Sequence, residues 1–204
     1  MRSYGQFCSL ARALDVVGDR WTLLIVRELA ARPCRFRDLT DGLPGIAANL
    51  LTNRLRMLTA EGIIAHDDAT ATYRLTDRGK GLGGALKALA RWGVPLMSPG
   101  RGGDESRAHW LALAISAIFE GAALNRPVRV QILADPGEIE IVAHRHAIET
   151  RLGHVLSPDA TLQGPHELIL GALAGELSLA AAERTGLAVS GSRPALHRLL
   201  AARR

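Results

Sequence analysis

The chain has 204 residues, of which 48% are apolar and 22% are charged, so it can bury a hydrophobic core and is not disordered by composition. The longest uncharged apolar stretch, Trp110 to Phe119, has ten residues, about half of what a membrane-spanning helix needs. The N-terminus lacks the long apolar core of a signal peptide, and two cysteines cannot form a disulfide framework. We therefore expect a protein of the reducing cytoplasm that has no membrane partner.

The net charge of +5 belongs entirely to the first half of the chain. Residues 1–98 contain 14 basic and 9 acidic side chains, whereas residues 99–204 contain 11 of each. The change coincides with the sequence Ser-Pro-Gly-Arg-Gly-Gly-Asp at residues 98–104, the clearest cluster of structure breakers. We predict a first domain at 1–98, a linker at 99–104 and a second domain at 105–204. The basic excess favours a polyanionic partner for the first domain.

Helices dominate the predicted start of the first domain. Apolar side chains at helical spacing indicate four helices, whose members are Leu10, Leu14 and Val17; Trp21, Leu24, Ile25 and Leu29; Phe36, Leu39 and Leu43; and Ile46, Leu50, Leu51, Leu55 and Leu58. Asp19 is placed to cap the second helix, which Pro33 stops, and Gly62 ends the fourth. A tight turn is predicted at Leu43-Pro44-Gly45, between the third and fourth helices.

A hairpin and a last helix complete the first domain. Two short strands at 63–66 and 72–76 surround a turn at 67–71. Thr76 is placed to cap a helix that carries Leu82, Leu86, Leu89 and Trp92. The short third helix, the turn and the fourth helix resemble a helix-turn-helix, and a hairpin directly after them is typical of a wing. The sequence therefore predicts a winged helix-turn-helix domain that binds DNA.

The fourth helix has a polar face that suits a DNA major groove. At about 100° per residue, Leu55 and Leu58 fall within about 40° of Leu51 and form a buried stripe. The side chains that point outward are Asn49, Thr52, Asn53 and Arg56. Asn can pair with adenine, Arg with guanine, and Thr can meet a thymine methyl group. No Asp or Glu lies between Asp41 and Glu61 to repel phosphate. We predict that this face reads DNA, and the alternative is a solvated helix surface.

Three further arginines lie beside this face. Arg35 and Arg37, near the preceding helix, are expected to hold phosphates. Arg54 lies about 60° from Leu51, at the flank of the buried stripe. Both a structural hydrogen bond and a phosphate contact fit Arg54.

Motifs at residues 8–97 carry a family resemblance. They are Cys8, Gly-Asp-Arg-Trp-Thr-Leu-Leu-Ile at 18–25, Arg-Glu-Leu at 27–29, Arg-Phe-Arg-Asp-Leu at 35–39, Leu-Pro-Gly-Ile at 43–46, Leu-Thr-Asn-Arg-Leu at 51–55, Glu-Gly-Ile-Ile at 61–64 and Tyr-Arg-Leu-Thr-Asp-Arg-Gly at 73–79. With these motifs the domain resembles the HxlR-type winged-helix transcription regulators, relatives of the MarR group. The resemblance implies a homodimer that binds double-stranded DNA at an inverted-repeat operator. It also implies dimer contacts from the first and last helices of this domain.

Two positions depart from the family pattern. The family usually has Cys-Pro where this chain has Cys8-Ser9, and the wing tip carries Asp67-Asp68 with no basic residue between Ile64 and Arg74. A minor-groove contact usually needs Arg or Lys. We therefore expect a weak contribution from the wing, with Arg74 at its base as the only candidate contact.

Cys8 is a candidate redox sensor by the same resemblance. In relatives of this family a cysteine near this position senses electrophiles or oxidants. A reactive thiol needs exposure and a positive environment, which Arg2 and Arg12 can supply. The alternative is a small apolar residue near the dimer seam.

The second domain shows strands first and helices after. An apolar helix is predicted at 107–121, strands at 128–132, 139–143, 145–151, 159–163 and 187–189, and helices at 165–174, 178–184 and 194–202. This order predicts an α+β domain with one face of its sheet covered by helices.

The end of the second domain resembles a sterol-carrier-protein-2-like domain. The resemblance rests on Asp-Ala-Thr-Leu-Gln-Gly-Pro at 159–165, Leu168 to Leu173, Gly-Glu-Leu-Ser-Leu-Ala-Ala-Ala at 175–182 and Gly-Leu-Ala-Val-Ser-Gly-Ser at 186–192. It implies a lipid-sized apolar tunnel, and hence control of the regulator by an apolar small molecule. Periodicity alone gives the candidate ligand-binding residues Trp110, Ile115, Ile118, Phe119, Val130, Ile132 and Ile141. The alternative is a core that serves only packing or dimerisation.

The motifs give no indication of catalysis. His144 and His146 share a strand face but lack a third placed metal ligand, and neither a nucleophile elbow nor a phosphate loop occurs. We therefore expect no enzyme, no cofactor and no metal. The leading hypothesis is a cytoplasmic, dimeric transcription regulator. The competing hypothesis is a small-molecule or lipid carrier or accessory protein whose winged helix serves protein contacts.

Overall fold

The computed structural model describes residues 3–97 and 100–203. The chain forms two compact units that divide between Leu86 and Lys87. This division lies ahead of the predicted linker. The sequence pattern assigned Val94 to the first domain, but Val94 packs in the hydrophobic core of the second unit. Arg2, and Ser98 and Pro99 of the predicted boundary, lie outside the described residues.

The first unit has the element order of a winged helix-turn-helix. Its helices are α1 (Ser9–Val17), α2 (Thr22–Ala31), α3 (Phe36–Gly42) and α4 (Ala48–Ala60). The antiparallel strands β1 (Ile64–Asp67) and β2 (Thr72–Leu75) follow, and then α5 (Asp77–Lys80) and α6 (Gly83–Gly93), the last of which continues past the division. The predicted winged helix-turn-helix is confirmed.

The apolar stripe of α4 holds this helix on the core. Leu51, Leu55 and Leu58 are each at most 2% exposed and belong to the same hydrophobic cluster as Ile25 and Leu39. The exposed and buried sides of α4 therefore alternate as the helical spacing predicted.

The chain turns from α4 directly into the hairpin. Gly62 has a φ of +66°, and the N–H groups of Gly62 and Ile63 donate to the carbonyls of Thr59 and Leu58. These two backbone hydrogen bonds form a Schellman motif, in which the residue with left-handed backbone is usually glycine. The hairpin is also tied to the segment before α3, since Cys34 and Tyr73 exchange backbone hydrogen bonds of 2.7 and 3.0 Å.

Two details of the predicted first domain are wrong. The N-cap of α2 is Trp21 and not Asp19, because the Asp19 carboxylate forms an ion pair with Arg54 of α4. Thr76 does cap a helix, accepting the N–H of Gly79 at 3.1 Å, but that helix is the single turn α5. Glycines at 79 and 81 disfavour a continuous helix, and α6 starts anew at Gly83.

The second unit is an α+β fold, as predicted. After a 3-10 helix at Val94–Met97, its elements are α7 (Ala108–Ile118), β3 (Val128–Leu133), β4 (Glu138–Ala143), β5 (Ile148–Leu152), β6 (Ala160–Gln163), α8 (His166–Ala174), α9 (Leu179–Arg184), β7 (Ala188–Gly191) and α10 (Arg193–Ala201). The five strands form one sheet in the order β5-β4-β3-β6-β7. Only the β3–β6 pair in this order is parallel.

The core of the second unit lies between one face of the sheet and the helices. Val130, Ile132 and Ile141 point to this face and are fully buried, with α7 against β4 and β5 and α10 against β3 and β6. On the opposite face Gln131 is only 1% exposed, and its Oε1 accepts the N–H of Val155 at 2.6 Å. The segment around Val155 therefore covers part of that face.

Within residues 3–97 and 100–203, no helix is long and apolar enough to cross a membrane. The same residues contain no group of three His, Cys, Asp or Glu side chains that could hold a metal ion.

Candidate nucleic-acid interface

The outward face of α4 is made of the four side chains that the sequence predicted. Asn49, Thr52, Asn53 and Arg56 are exposed, on the side opposite the buried stripe. No carboxylate lies on this helix. The face therefore offers amide, hydroxyl and guanidinium groups to a partner.

Two of these side chains are partly used by the helix itself. The Oδ1 of Asn49 accepts the N–H of Leu50 at 2.8 Å. The N-cap, Ala47, has no side chain that can cap, so Asn49 satisfies one of the free N–H groups of the first turn. The hydroxyl of Thr52 donates to the carbonyl of Ala48 at 2.9 Å. This bond leaves the Asn49 amino group and one lone pair of Oδ1 available for a base.

Asn53 and Arg56 are uncommitted. Neither side chain makes a hydrogen bond or an ion pair with another residue in the described part of the chain. Amide and guanidinium groups are the ones that bind adenine and guanine edges bidentately. These two residues are therefore the strongest base-reading candidates on α4.

Arg35 and Arg37 lie at the start of α3. The backbone N–H of Arg35 donates to Asp38 at 2.7 Å, and this bond, with the Arg32 side chain, holds the pKa of Asp38 below its usual value. The Arg35 side chain itself is exposed. Arg37 is 93% exposed and only loosely paired with Asp41, at 3.9 Å. Both guanidinium groups can reach solvent and hence a phosphate.

Arg54 is committed to the fold. Its guanidinium is 26% exposed and forms an ion pair with Asp19, in the turn between α1 and α2. The two residues line a groove of about 630 Å³ between α1, α4 and the N-terminal arm. The sequence left open a structural bond or a phosphate contact for Arg54, and this ion pair favours the structural bond.

A buried charge pair positions the turn between α3 and α4, and sequence reasoning missed it. Glu28 of α2 is 5% exposed and pairs with Arg27 at 2.8 Å, while Arg27 also donates to the carbonyl of Gly42 at 3.4 Å. A Cβ on Gly42 would lie 2.6 Å from a carboxylate oxygen of Glu28. A side chain at the last position of α3 would therefore displace the Glu28 carboxylate, a close approach that only the tertiary structure reveals.

The wing is acidic at its tip. Asp67 ends β1 and Asp68 follows in the turn, where its Oδ1 is hydrogen-bonded to Nδ1 of His66 at 2.7 Å. Hydrogen bonds from Thr70 and Ala69 lower the pKa of Asp67, which keeps it charged. Arg74 is exposed on β2, opposite Ala65. The wing therefore offers one guanidinium at its base and two carboxylates at its end.

Cys8 and Cys34 differ in their surroundings. Cys8 is exposed and precedes α1, but the guanidinium of Arg12 is turned to Ser3 and Asp15, at 3.2 and 3.6 Å. Cys34 is buried, and burial raises the pKa of its thiol. The Arg12 guanidinium therefore contacts Ser3 and Asp15. The raised pKa favours the thiol form of Cys34.

The candidate ligand-binding residues of the second unit lie in two places. Six of them are at most 2% exposed members of one hydrophobic core: Ile115, Ile118, Phe119, Val130, Ile132 and Ile141. These six side chains pack with one another and with the neighbouring core residues. Trp110, at the start of α7, instead lines a cavity.

Together the helix order, the buried stripe of α4 and the following wing define a winged helix-turn-helix domain. The family model described as HxlR-like helix-turn-helix matches residues 16–100. The chain belongs to this family, as the degree of identity to its relatives also shows.

The relatives are transcription regulators by name. The uncharacterized HTH-type transcriptional regulator YvaP of Bacillus subtilis is 32% identical over 93 residues, which cover 43% of this chain and 86% of YvaP. An uncharacterized HTH-type transcriptional regulator of Mycobacterium tuberculosis is 42% identical over 90 residues. That match covers 42% of this chain and 56% of the mycobacterial protein, so the chain spans about half the length of this relative. The crystal structure of quinone-bound YodB from B. subtilis is 29% identical, covers 42% of this chain and 96% of that chain, and has a TM-score of 0.39.

Proposed function

We propose that this chain is a sequence-specific, DNA-binding transcription regulator that acts as a homodimer on an inverted-repeat operator in the cytoplasm. The observation that carries the proposal is the outward face of α4, where Asn53 and Arg56 are exposed and uncommitted. Polar groups on a surface helix are common, but here they lie on the second helix of a helix-turn-helix. Membership in the HxlR-like family supports the same function.

Each arginine near the interface has a role in the proposal. Arg56 and Asn53 read base edges in the major groove, with Thr52 and Asn49 beside them. Arg35 and Arg37 hold phosphates at the start of α3, and Arg74 makes the single contact of the wing. Arg54 acts mainly through its ion pair with Asp19, which fixes α4 against the turn after α1.

Exposed apolar side chains support a homodimer through the first and last helices. Leu10 on α1 is 66% exposed, and Phe7, which precedes this helix, is fully exposed. On α6, Leu89 is 51% and Trp92 is 72% exposed. A soluble monomer has little reason to expose so many large apolar groups on two helices. In this arrangement Cys8 lies beside the dimer contact, where its oxidation would alter the spacing of the two reading helices.

The second unit is proposed to be a sterol-carrier-protein-2-like module that binds a small effector. Its five-stranded sheet covered by helices is compatible with that resemblance. An effector that binds one dimer arrangement better than the other would shift operator affinity by the ratio of the two affinities.

The salt dependence of binding separates this proposal from a carrier whose winged helix contacts only proteins. Binding of the full chain to a fluorescent random duplex is measured by anisotropy from low to high salt. Phosphate contacts predict that log affinity falls linearly with log salt, with a slope of roughly −0.9 per neutralised phosphate. Absence of binding at low salt, or a slope near zero, would favour the carrier.

A further inference from the structure

A cavity in the second unit has the composition of a small-molecule site. It measures about 290 Å³ and lies between the segment before α7, the start of α7 and the start of α8. Its apolar walls come from Leu96, Met97, Trp110, Leu111, Ala114 and Leu170. A neighbouring cavity of about 250 Å³ shares Met97 and Leu170 with it. Ligand pockets in proteins have this mixture of apolar walls and a few polar groups.

The polar end of the cavity contains an incompletely satisfied pair. The hydroxyl of Ser106 is hydrogen-bonded to Nδ1 of His166, and both residues line the cavity. His166 is only 5% exposed, and its Nε2 is buried without a hydrogen-bond partner among residues 3–97 and 100–203. Buried polar atoms in proteins nearly always have a partner, supplied by the protein, by water or by a ligand. The orphaned Nε2 therefore indicates that a partner is missing.

The charge state of His166 limits what this partner can be. Burial lowers the pKa of His166, and Arg101 nearby acts in the same direction, so the neutral imidazole is favoured. A neutral imidazole has one N–H donor and one acceptor nitrogen. Because Nδ1 is used by Ser106, the remaining nitrogen offers either a donor or an acceptor, depending on the tautomer. The Ser106 hydroxyl likewise keeps one unused function.

The charges around the cavity disfavour an anion. Asp104, Glu105 and Glu167 line it together with Arg101. The guanidinium of Arg107 lies over the ring of Trp110 and pairs with Glu105 at 3.4 Å, so the carboxylates outnumber the guanidinium groups. The carboxylate of Glu167 is directed to the segment at Gly100, where a Cβ would lie 3.5 Å from its Oε1. A ligand carboxylate would therefore meet like charge at the rim.

We propose that this cavity binds a compact neutral molecule with an apolar body and one hydroxyl group, of the size of an alkylphenol, which hydrogen-bonds to Ser106 and His166. A hydroxyl group both donates and accepts, so it satisfies the pair in either tautomer. The apolar body lies against Trp110 and Leu111. This site is separate from the buried core residues that periodicity suggested.

Binding of this ligand requires no DNA and is tested on the full chain alone, so its outcome is independent of the DNA-binding proposal. Isothermal titration compares three probes with the same ethylphenyl body: 4-ethylphenol, ethylbenzene and 4-ethylbenzoate. We expect 4-ethylphenol to bind about tenfold more tightly than ethylbenzene, the effect of one well-placed hydrogen bond. The benzoate is expected to bind most weakly.

Two variants locate the site. The double variant Ser106→Ala/His166→Phe removes both polar groups and should bind 4-ethylphenol and ethylbenzene within about twofold of each other. Ala114→Leu leaves the pair intact but fills part of the cavity, and should weaken both probes by about tenfold or more. The controls are Ser116→Ala, a half-buried serine on the same helix, and His197→Phe, an exposed histidine on α10. Circular dichroism verifies that each variant is folded.

Specific results would overturn the proposal. One is the absence of saturable 4-ethylphenol binding to the folded wild type. A second is equal binding of 4-ethylphenol and ethylbenzene to the wild type, which would mean that a buried water satisfies His166. If 4-ethylbenzoate bound more tightly than 4-ethylphenol, the claim that the ligand is neutral would be wrong. If Ala114→Leu bound the probes as tightly as the wild type does, the claim that they bind in this cavity would be wrong.

Discussion

The outward face of α4 and the tip of the wing are both exposed parts of one winged helix, yet their charges are opposite. The α4 face carries Arg56 and three uncharged polar side chains, with no carboxylate. The wing tip carries Asp67 and Asp68, and its nearest basic side chain is on β2 at Arg74. In a domain of this shape either element can approach DNA, and on this difference we propose that α4 reads the sequence while the wing makes only a minor contact.

Two ion pairs hold the elements next to α4. The Arg27–Glu28 pair at Gly42 and the Asp19–Arg54 pair both act on the position of α4. A base-reading helix must be held within a fraction of an ångström to pair bidentately with bases. Rigid support of α4 is therefore what a specific regulator with a weak wing needs.

The largest expected effect is the loss of Arg56. Arg56→Ala should weaken binding to the preferred sequence by about 10- to 100-fold and reduce discrimination at the base it contacts. Anisotropy titrations on matched and single-substituted duplexes measure both quantities. The control is Arg126→Ala, which removes an exposed arginine of the second unit. Full affinity and specificity in Arg56→Ala would refute the assignment of the reading face.

Gly42→Ala breaks the support of α4 without touching the wing. The new Cβ would lie 2.6 Å from Glu28, whose carboxylate is buried and held by Arg27. Overpacking of this kind costs about 1–3 kcal/mol, so the free energy of unfolding by urea should fall by that amount.

The control for Gly42→Ala is Gly84→Ala in α6, where a Cβ meets no atom within 4 Å. This substitution should raise the free energy of unfolding by up to about 1 kcal/mol. Equal effects of the two substitutions would show that the close approach at Gly42 is unimportant.

Asp19→Asn sharpens the role of Arg54 at the edge of the reading face. The ion pair is partly exposed, so its loss should lower the free energy of unfolding by only about 0.2–1 kcal/mol. Affinity for DNA should change less than twofold if Arg54 acts through the fold. Asp104→Asn, an exposed carboxylate of the second unit, is the matched control. A gain in affinity would mean instead that the freed Arg54 contacts phosphate.

The smallest effect is expected at the wing. Asp68 is 97% exposed, so Asp68→Asn should raise DNA affinity about twofold at low salt, and screening should remove the gain at high salt. Salt titrations of the variant and the wild type test this. A gain of tenfold or more would contradict a minor wing, since it would place the tip close to the phosphates.

The periodic features of the chain could be predicted from sequence, and the contacts between distant residues could not. The buried stripe of Leu51, Leu55 and Leu58 follows from helical spacing alone. Asp19 could not be placed correctly, because its preference for a helix N-cap loses to Arg54, which is distant in sequence. Likewise, alternating apolar residues predict the sheet of the second unit but do not distinguish a packed core from a cavity wall. Only Trp110 of the candidate wall residues lines the cavity described above.

The central claim is that α4 reads DNA sequence in a symmetric dimer. Selection of bound duplexes from a random pool tests it most directly, with wild type and Arg56→Ala selected in parallel. The account predicts that wild type enriches an inverted repeat with half-sites about one helical turn apart, and that Arg56→Ala loses the preference at one symmetric pair of positions. Failure of folded wild type to enrich any sequence, or an identical motif from Arg56→Ala, would contradict it.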